Sequence, residues 1–404
     1  MCEGDGMEEW KECKLGDICK TNINSYSEKD NWSFVNYLDT GNITENKISD
    51  IQFIDLSSES LPSRARRKVQ INDIIYSTVR PNQKHFGIIK NQPENFLVST
   101  GFAVLHINKT IADPNFIFYN LIQNENTESL HAIAEQTTSA YPAIKPSDIE
   151  NLSIKLPPLP TQQKIAAILS SLDDKIELNN KINTNLEQQA QALFKNWFVD
   201  FEPFGGKIPE GWKVGKLSDI ADYLNGLAMQ KFRPLEGEEG LPVLKIKELR
   251  QGCCDESSEL CSPSKVKPEY IIHDGDVIFS WSGSLLVDIW CGGTCGLNQH
   301  LFKVTSKTYE KWFYYLWTKH HLDRFIFLAA DKATTMGHIK REELAKAEVV
   351  IPDFLVYNKL NNILQPIIEK IITTRVENRK LSSLRDTLLP KLMNGEIEVN
   401  GVKV

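Results

Sequence analysis

The chain is written twice, and that duplication constrains its fold more than any other property. Trp10-Lys11-x-x-Lys14-Leu15-x-Asp17-Ile18 returns 202 residues later as Trp212-Lys213-x-x-Lys216-Leu217-x-Asp219-Ile220. Asn72-Asp73-Ile74-Ile75-Tyr76-Ser77 returns 203 residues later as Gly275-Asp276-Val277-Ile278-Phe279-Ser280. Thr137-Thr138 followed by Ile144-Lys145 is echoed by Thr334-Thr335 followed by Ile339-Lys340, and Leu156-Pro157 by Ile351-Pro352 at an offset of 195. Four markers in one order at nearly one spacing imply a tandem repeat of about 200 residues.

Within each repeat the composition changes partway. The first part consists of short apolar runs broken by Gly, Pro, Asn and Asp, which reads as strands and turns with occasional helix. The second part reads as one long helix. After Leu156-Pro157-Pro158-Leu159-Pro160, Thr161 can cap a helix running to about Phe198, and after Pro352-Asp353 another runs to about Asn394-Gly395. The two share a seam. In the first it reads Ile165, Leu169, Leu172, Ile176, Asn179, Asn183, Leu186, Ala190, Leu193, Trp197. In the second it reads Leu360, Leu364, Ile367, Ile371, Thr374, Asn378, Leu381, Arg385, Leu388, Leu392. Steps of four and three give the 3.5-residue period of a coiled coil, with polar residues in mid-seam that fix register. About 35 residues of helix span about 50 Å, longer than a domain of this size needs. Pro366 removes one hydrogen bond and is expected to bend the second helix near its start. The expected architecture is α+β. Residues 1–155 and 200–352 form two globular domains, and residues 156–199 and 353–404 carry the helices, paired as an antiparallel coiled coil about a pseudo-two-fold axis.

Several function classes are disfavoured. No apolar run reaches the roughly 18 residues that a membrane span needs. The start, Met1-Cys2-Glu3-Gly4-Asp5, is acidic and unlike a secretory leader; Met7 is an alternative start, and a cytoplasmic location is expected. The eight cysteines include no paired C-x-x-C knuckles, so reduced thiols and no metal are expected. No phosphate-binding G-x-x-x-x-G-K-[ST] loop, H-E-x-x-H, G-x-S-x-G, Asn/Asp-Pro-Pro-aromatic or nuclease motif occurs, so no catalytic residue is expected.

The net charge of −7 opposes attraction to a polyanion, but the charge is unevenly distributed. Between Arg64 and Lys90 stand seven basic residues, Arg64, Arg66, Arg67, Lys68, Arg80, Lys84 and Lys90, against Asp73 alone. Such a patch suits phosphate, and arginine can also read guanine bidentately. Ile74–Val79 reads as a strand ending in a polar tip, Arg80-Pro81-Asn82-Gln83-Lys84, with Ser77 at its root. The second repeat has Ser280-Trp281-Ser282-Gly283-Ser284 there. Aligned tips with different side chains imply two readers of different sequences. Hydroxyl-rich loops before the long helices, carrying Thr138 and Lys145 in one repeat and Lys332, Thr335 and Lys340 in the other, are further DNA-contact candidates. A coiled-coil scaffold whose domains bind something other than DNA is the alternative.

The paired openers, the segment Ser63-Arg64-Ala65-Arg66-Arg67-Lys68 to Arg80-Pro81, and Leu156-Pro157-Pro158-Leu159-Pro160-Thr161-Gln162-Gln163-Lys164-Ile165 entering a long helix together resemble the specificity subunit of type I restriction-modification systems. The resemblance covers nearly the whole chain. It implies two target recognition domains reading the halves of a bipartite site in double-stranded DNA, with the helices setting the gap. It also implies two methyltransferase subunits and motor-nuclease subunits as partners. Adenine methylation, cleavage and the S-adenosylmethionine, ATP and Mg they use would then lie in the partners, with no cofactor on this chain. The ragged start and Pro366 are its departures from that pattern.

Overall fold

A computed structural model describes residues 10–136, 142–331 and 338–399. The chain forms two compact units, residues 1–174 together with 383–404, and residues 175–382.

In the first unit one sheet has the order Gln52–Asp55, Phe34–Leu38, Phe96–Ser99, Ala65–Lys68, and a second has the order Cys19–Thr21, Phe102–Ile107, Ile74–Ser77, Phe86–Ile88. A short ribbon pairs Lys11–Lys14 with Ser153–Leu156. The second unit repeats this strand for strand. Its sheets are Leu260–Cys261, Leu241–Leu244, Cys295–Leu297, Ile271–Ile272, and Asp222–Asn225, Leu301–Thr305, Val277–Ser280, Leu286–Ile289; its ribbon joins Lys213–Lys216 to Glu348–Ile351. Each unit has its parallel pairing at the same place, Phe34–Leu38 beside Phe96–Ser99 and Leu241–Leu244 beside Cys295–Leu297.

The repeated opener has a local cause. Asp17 accepts from the Lys14 amide at 3.0 Å and Asp219 from the Lys216 amide at 2.9 Å, each holding the first turn of a four-residue helix. Leu15 and Ile18, and Leu217 and Ile220, are buried by that turn.

The long helices are Leu159–Phe198 and Phe354–Met393. The first starts before Thr161, which lies inside its first turn and is not its cap. Buried Gln162 ties that turn down: its Oε1 accepts from the Asp113 amide at 2.9 Å, and its Nε2 donates to the Pro157 carbonyl at 2.7 Å. The second starts where Asp353 accepts from the Val356 amide at 2.9 Å, and Gly395 at φ +73° follows its end. It continues through Pro366, which sits on an exposed face.

Both helices cross the division between units, unlike the separate spacer segments expected. Within the second unit they are antiparallel. Asn179 donates to Asn378 at 2.8 Å and to Glu377 at 2.9 Å, and Thr374 bonds Asn183 further along. The mid-seam polar residues therefore meet one another. Within the first unit Arg385 pairs with Asp173 at 2.7 Å. Of the expected seam residues Leu169, Ile176, Leu364 and Ile371 are buried, while Leu172, Leu186, Leu381 and Leu388 are partly covered. At the end of the first helix Phe194 and Phe198 take the buried positions in place of Leu193 and Trp197, and Ile368 is more buried than Ile367. The reason is a change of neighbour. There the helix enters the aromatic core made with Trp212, Trp312, Phe313 and Trp317, so the straight-helix period of 3.6 replaces 3.5.

Candidate nucleic-acid interface

Both hairpin tips are built by one set of local rules. Asn72 takes φ +75°, and Asp73 accepts from the Gln70 amide at 2.8 Å, turning the chain into Ile74–Ser77. Gly275 takes φ +90°, and Asp276 accepts from the His273 amide at 2.9 Å. A left-handed residue before a turn-closing aspartate accounts for the second repeated motif.

Ser77 and Ser280, expected at the DNA, are instead buried. The Ser77 hydroxyl donates to the Val79 carbonyl at 2.9 Å, and the Ser280 hydroxyl to the Ser282 carbonyl at 3.2 Å. Each satisfies backbone where the strand ladder stops, so the repeated serine shapes the tip from inside.

Beyond the serines the tips diverge. Arg80 at φ +48° and Lys84 at φ +55° flank a turn of 3₁₀ helix, Pro81–Gln83, with Arg80 and Asn82 exposed. In the second unit the Trp281 indole donates to Asn225 at 2.9 Å, and the Ser282 hydroxyl lies 2.9 Å from His300 Nδ1. The second tip thus carries an aromatic ring and small residues where the first carries cations.

Each tip is joined to the loop that precedes its long helix. Val79 bridges Ala143, the Arg80 amide donates to the Pro142 carbonyl at 2.9 Å, and the Ile144 amide to the Thr78 carbonyl at 2.8 Å. Correspondingly, Ser282 bridges His338 and the Ile339 amide donates to the Trp281 carbonyl at 3.1 Å. Two candidate regions distant in sequence form one edge in both units. Lys145 and Lys340 follow directly, both exposed. Thr138, Lys332 and Thr335 lie outside the described residues.

The basic segment is partly neutralised by residues remote in sequence. Lys68 pairs with Asp30 and lies 5.2 Å from the Trp32 ring centre, Lys84 pairs with Glu45 at 3.1 Å, and Lys90 with Asp174 at 2.6 Å. Among the described residues no ion pair involves Arg64, which is exposed, or Arg66, which is half-exposed. Burial alone pulls the Arg67 pKa below the usual arginine value, and its Nε has no partner among the described residues. Partly exposed pairs of this kind contribute about 0–1 kcal/mol, so a phosphate can compete for those lysines.

Glu45 belongs to a small hairpin, Ile43–Thr44 with Lys47–Ile48, that the sequence reading passed over. Its turn residues Glu45 and Asn46 both have positive φ, and Asn46 Oδ1 accepts from the Ile88 amide at 2.9 Å. Asn between two short apolar-polar runs was an available turn signal.

Among the described residues no cluster of His, Cys, Asp or Glu could hold a metal, and no helix is long and apolar enough to cross a membrane. Among the described residues no disulfide is formed, and Cys261, Cys291 and Cys295 are buried.

Residues 7–188 and 209–382 each match the family model described as the type I restriction modification DNA specificity domain. The specificity subunit of the HindI type I restriction enzyme of Haemophilus influenzae is 27% identical, covering 97% of this chain and 100% of that protein. The MjaIX specificity subunit of Methanocaldococcus jannaschii is 31% identical over 70% of this chain and 69% of that one. A crystal structure of the type I restriction-modification S subunit from M. genitalium superposes with TM-score 0.58 at 15% identity, covering 97% of this chain and 98% of the other.

Proposed function

The chain belongs to the type I restriction modification DNA specificity family, and from that premise we propose that it is a non-catalytic subunit recognising a bipartite site in duplex DNA. The carrying observation is the tip–loop edge, bridged at corresponding places in the two units, Val79 to Ala143 and Ser282 to His338, yet presenting Arg80-Pro81-Asn82 in one and Trp281-Ser282-Gly283 in the other. Matching bridges that carry tips of different length and side chains suit two readers of dissimilar half-sites. Arg64, Arg66 and Arg80 in the first unit are suited to phosphate or guanine, and Lys145 and Lys340 stand at matching places beside each edge.

Partner subunits would supply the chemistry. In this reading methyltransferase subunits dock on the long helices and carry S-adenosylmethionine, while motor-nuclease subunits carry ATP and Mg, all in the cytoplasm. The helix seam would set the gap between half-sites, and the polar layer at Asn179, Asn183, Thr374 and Asn378 favours one register over its neighbours.

The test is methylome sequencing of a host expressing the chain with its methyltransferase. A bipartite methylated motif is expected. Inserting four residues, about one helical turn, into Leu159–Phe198 should lengthen the gap and leave both half-sites unchanged. Altered half-sites with the same gap would refute the ruler, and absence of any bipartite motif would refute the reading.

A further inference from the structure

In the first unit the segment between the opening strands of the mixed sheet, residues 39–51, folds into the small hairpin beside the tip, where Glu45 pairs with Lys84. The second unit fills the same place with a short helix, Ile246–Gln251, ended by Gly252 at φ +77°. That helix also abuts the tip, because a Cβ on Gly283 would lie 3.6 Å from Ile246 Cδ1. Charge is exchanged between the two arrangements. One unit sets an anion beside a cationic tip; the other sets cations beside a neutral one.

Of the three cations on and just before that helix, Lys245, Lys247 and Arg250, two are engaged. Lys245 pairs with Glu259 at 2.7 Å, and Lys247 pairs with Asp255 at 3.1 Å and donates to Ser257 at 2.7 Å. Arg250 is exposed, and among the described residues it makes no hydrogen bond, ion pair or ring contact. It borders a groove of about 430 Å³ walled by tip residues 283–285 and by Ile326 and two alanines of the helix Leu322–Asp331. A guanidinium that shares an open groove with Leu285, Ile326 and two alanines, next to the tip, matches a base edge better than a phosphate. The fork suits guanine O6 and N7, and the Ile and Ala walls suit a thymine methyl. A phosphate site would instead gather several donors.

We propose that Arg250 is a specificity-determining residue of the second unit, reading one guanine in the half-site that this unit recognises. The inference rests on the DNA-recognition reading above. The experiment is methylome mapping of the complex with Arg250→Ala, Arg250→Gln and Arg250→Lys, each chain first shown to unfold at the wild-type temperature. Arg250→Ala and Arg250→Gln should lower discrimination at one base pair of one half-site by roughly 5- to 150-fold, leaving the other half-site unchanged. Arg250→Lys, which keeps the charge without the fork, should relax the same position. A uniform fall in methylation with the motif intact makes Arg250 a phosphate contact and overturns the proposal. So does an unchanged motif and rate. If the wild-type complex methylates no bipartite motif, the function itself is refuted along with it.

Discussion

Arg375 ties both long helices of the second unit to its sheet. Its guanidinium donates to Glu187 of the first long helix at 2.6 Å, to Asp288 of the strand Leu286–Ile289 at 2.9 Å, and to the Ile289 carbonyl at 3.1 Å. One side chain on the second helix thereby fixes both of its neighbours. The side chains are about a quarter exposed, Arg375 25%, Glu187 27% and Asp288 30%. Removing one partner of a buried pair costs about 3–5 kcal/mol, and of an exposed pair about 0–1. Arg375→Met keeps the apolar stem and leaves two carboxylates facing each other, so a loss of about 2–3 kcal/mol is expected. For a unit of this size that lowers the melting temperature by about 5–10 °C. The assay is thermal and urea unfolding of Arg375→Met, Glu187→Gln and the double variant, followed by circular dichroism. The cycle should show a coupling of about 1–2 kcal/mol. A loss below about 0.5 kcal/mol, or strict additivity in the cycle, would refute the clamp.

Two further outcomes follow from buried polar groups. Ser77→Ala removes a hydroxyl that donates to the Val79 carbonyl and accepts from the Val79 amide at 3.2 Å, and should cost about 1–2 kcal/mol in urea unfolding; a change within about 0.3 would return Ser77 to the surface role first expected of it. Burial depresses the His321 pKa from 6.5 to about 4, its Nε2 lying 2.7 Å from the Glu348 carbonyl. The unfolded chain therefore binds the proton first, and the stability contributed by neutral His321 is complete above pH about 6.5 and lost as pH falls toward about 4. Between pH 7 and 4.5 the wild type should lose about 2–3 kcal/mol more than His321→Gln, and parallel pH profiles for the two would contradict this.

The repeat was legible because its markers are backbone devices. Asp17 and Asp219 hold first turns, Asp73 and Asp276 close turns, and such residues recur wherever the same bend recurs. The helix seam was legible for as long as one helix faced the other, and misread at Leu193 and Trp197, where the partner becomes a domain core. Nothing in a local window signals that change. The charge of the first tip was overstated because Asp30, Glu45 and Asp174 lie far from the lysines they pair with. Ser77 and Ser280 read as tip residues because alternation along a strand does not reveal which hydroxyl must serve an orphan carbonyl. Arg250 carried no signal, standing in a segment that the duplication did not preserve.

The first unit is completed by residues 392–399, far along the sequence from the rest of it. Leu392, Met393 and Val399 are buried in one cluster with Leu15, Phe116, Ile165 and Leu169, and the Trp10 ring lies where a Cβ on Gly395 would touch it at 3.4 Å. Residues 175–382 must be synthesised before that contact can form. At about 5–20 residues per second the ribosome imposes a wait of about 10–40 s, during which the apolar surface meant for those residues faces water. The second unit, contiguous in sequence, can finish folding while the first is still open. The half made first therefore stays open until residues 392–399, made after the whole of the second half, close it.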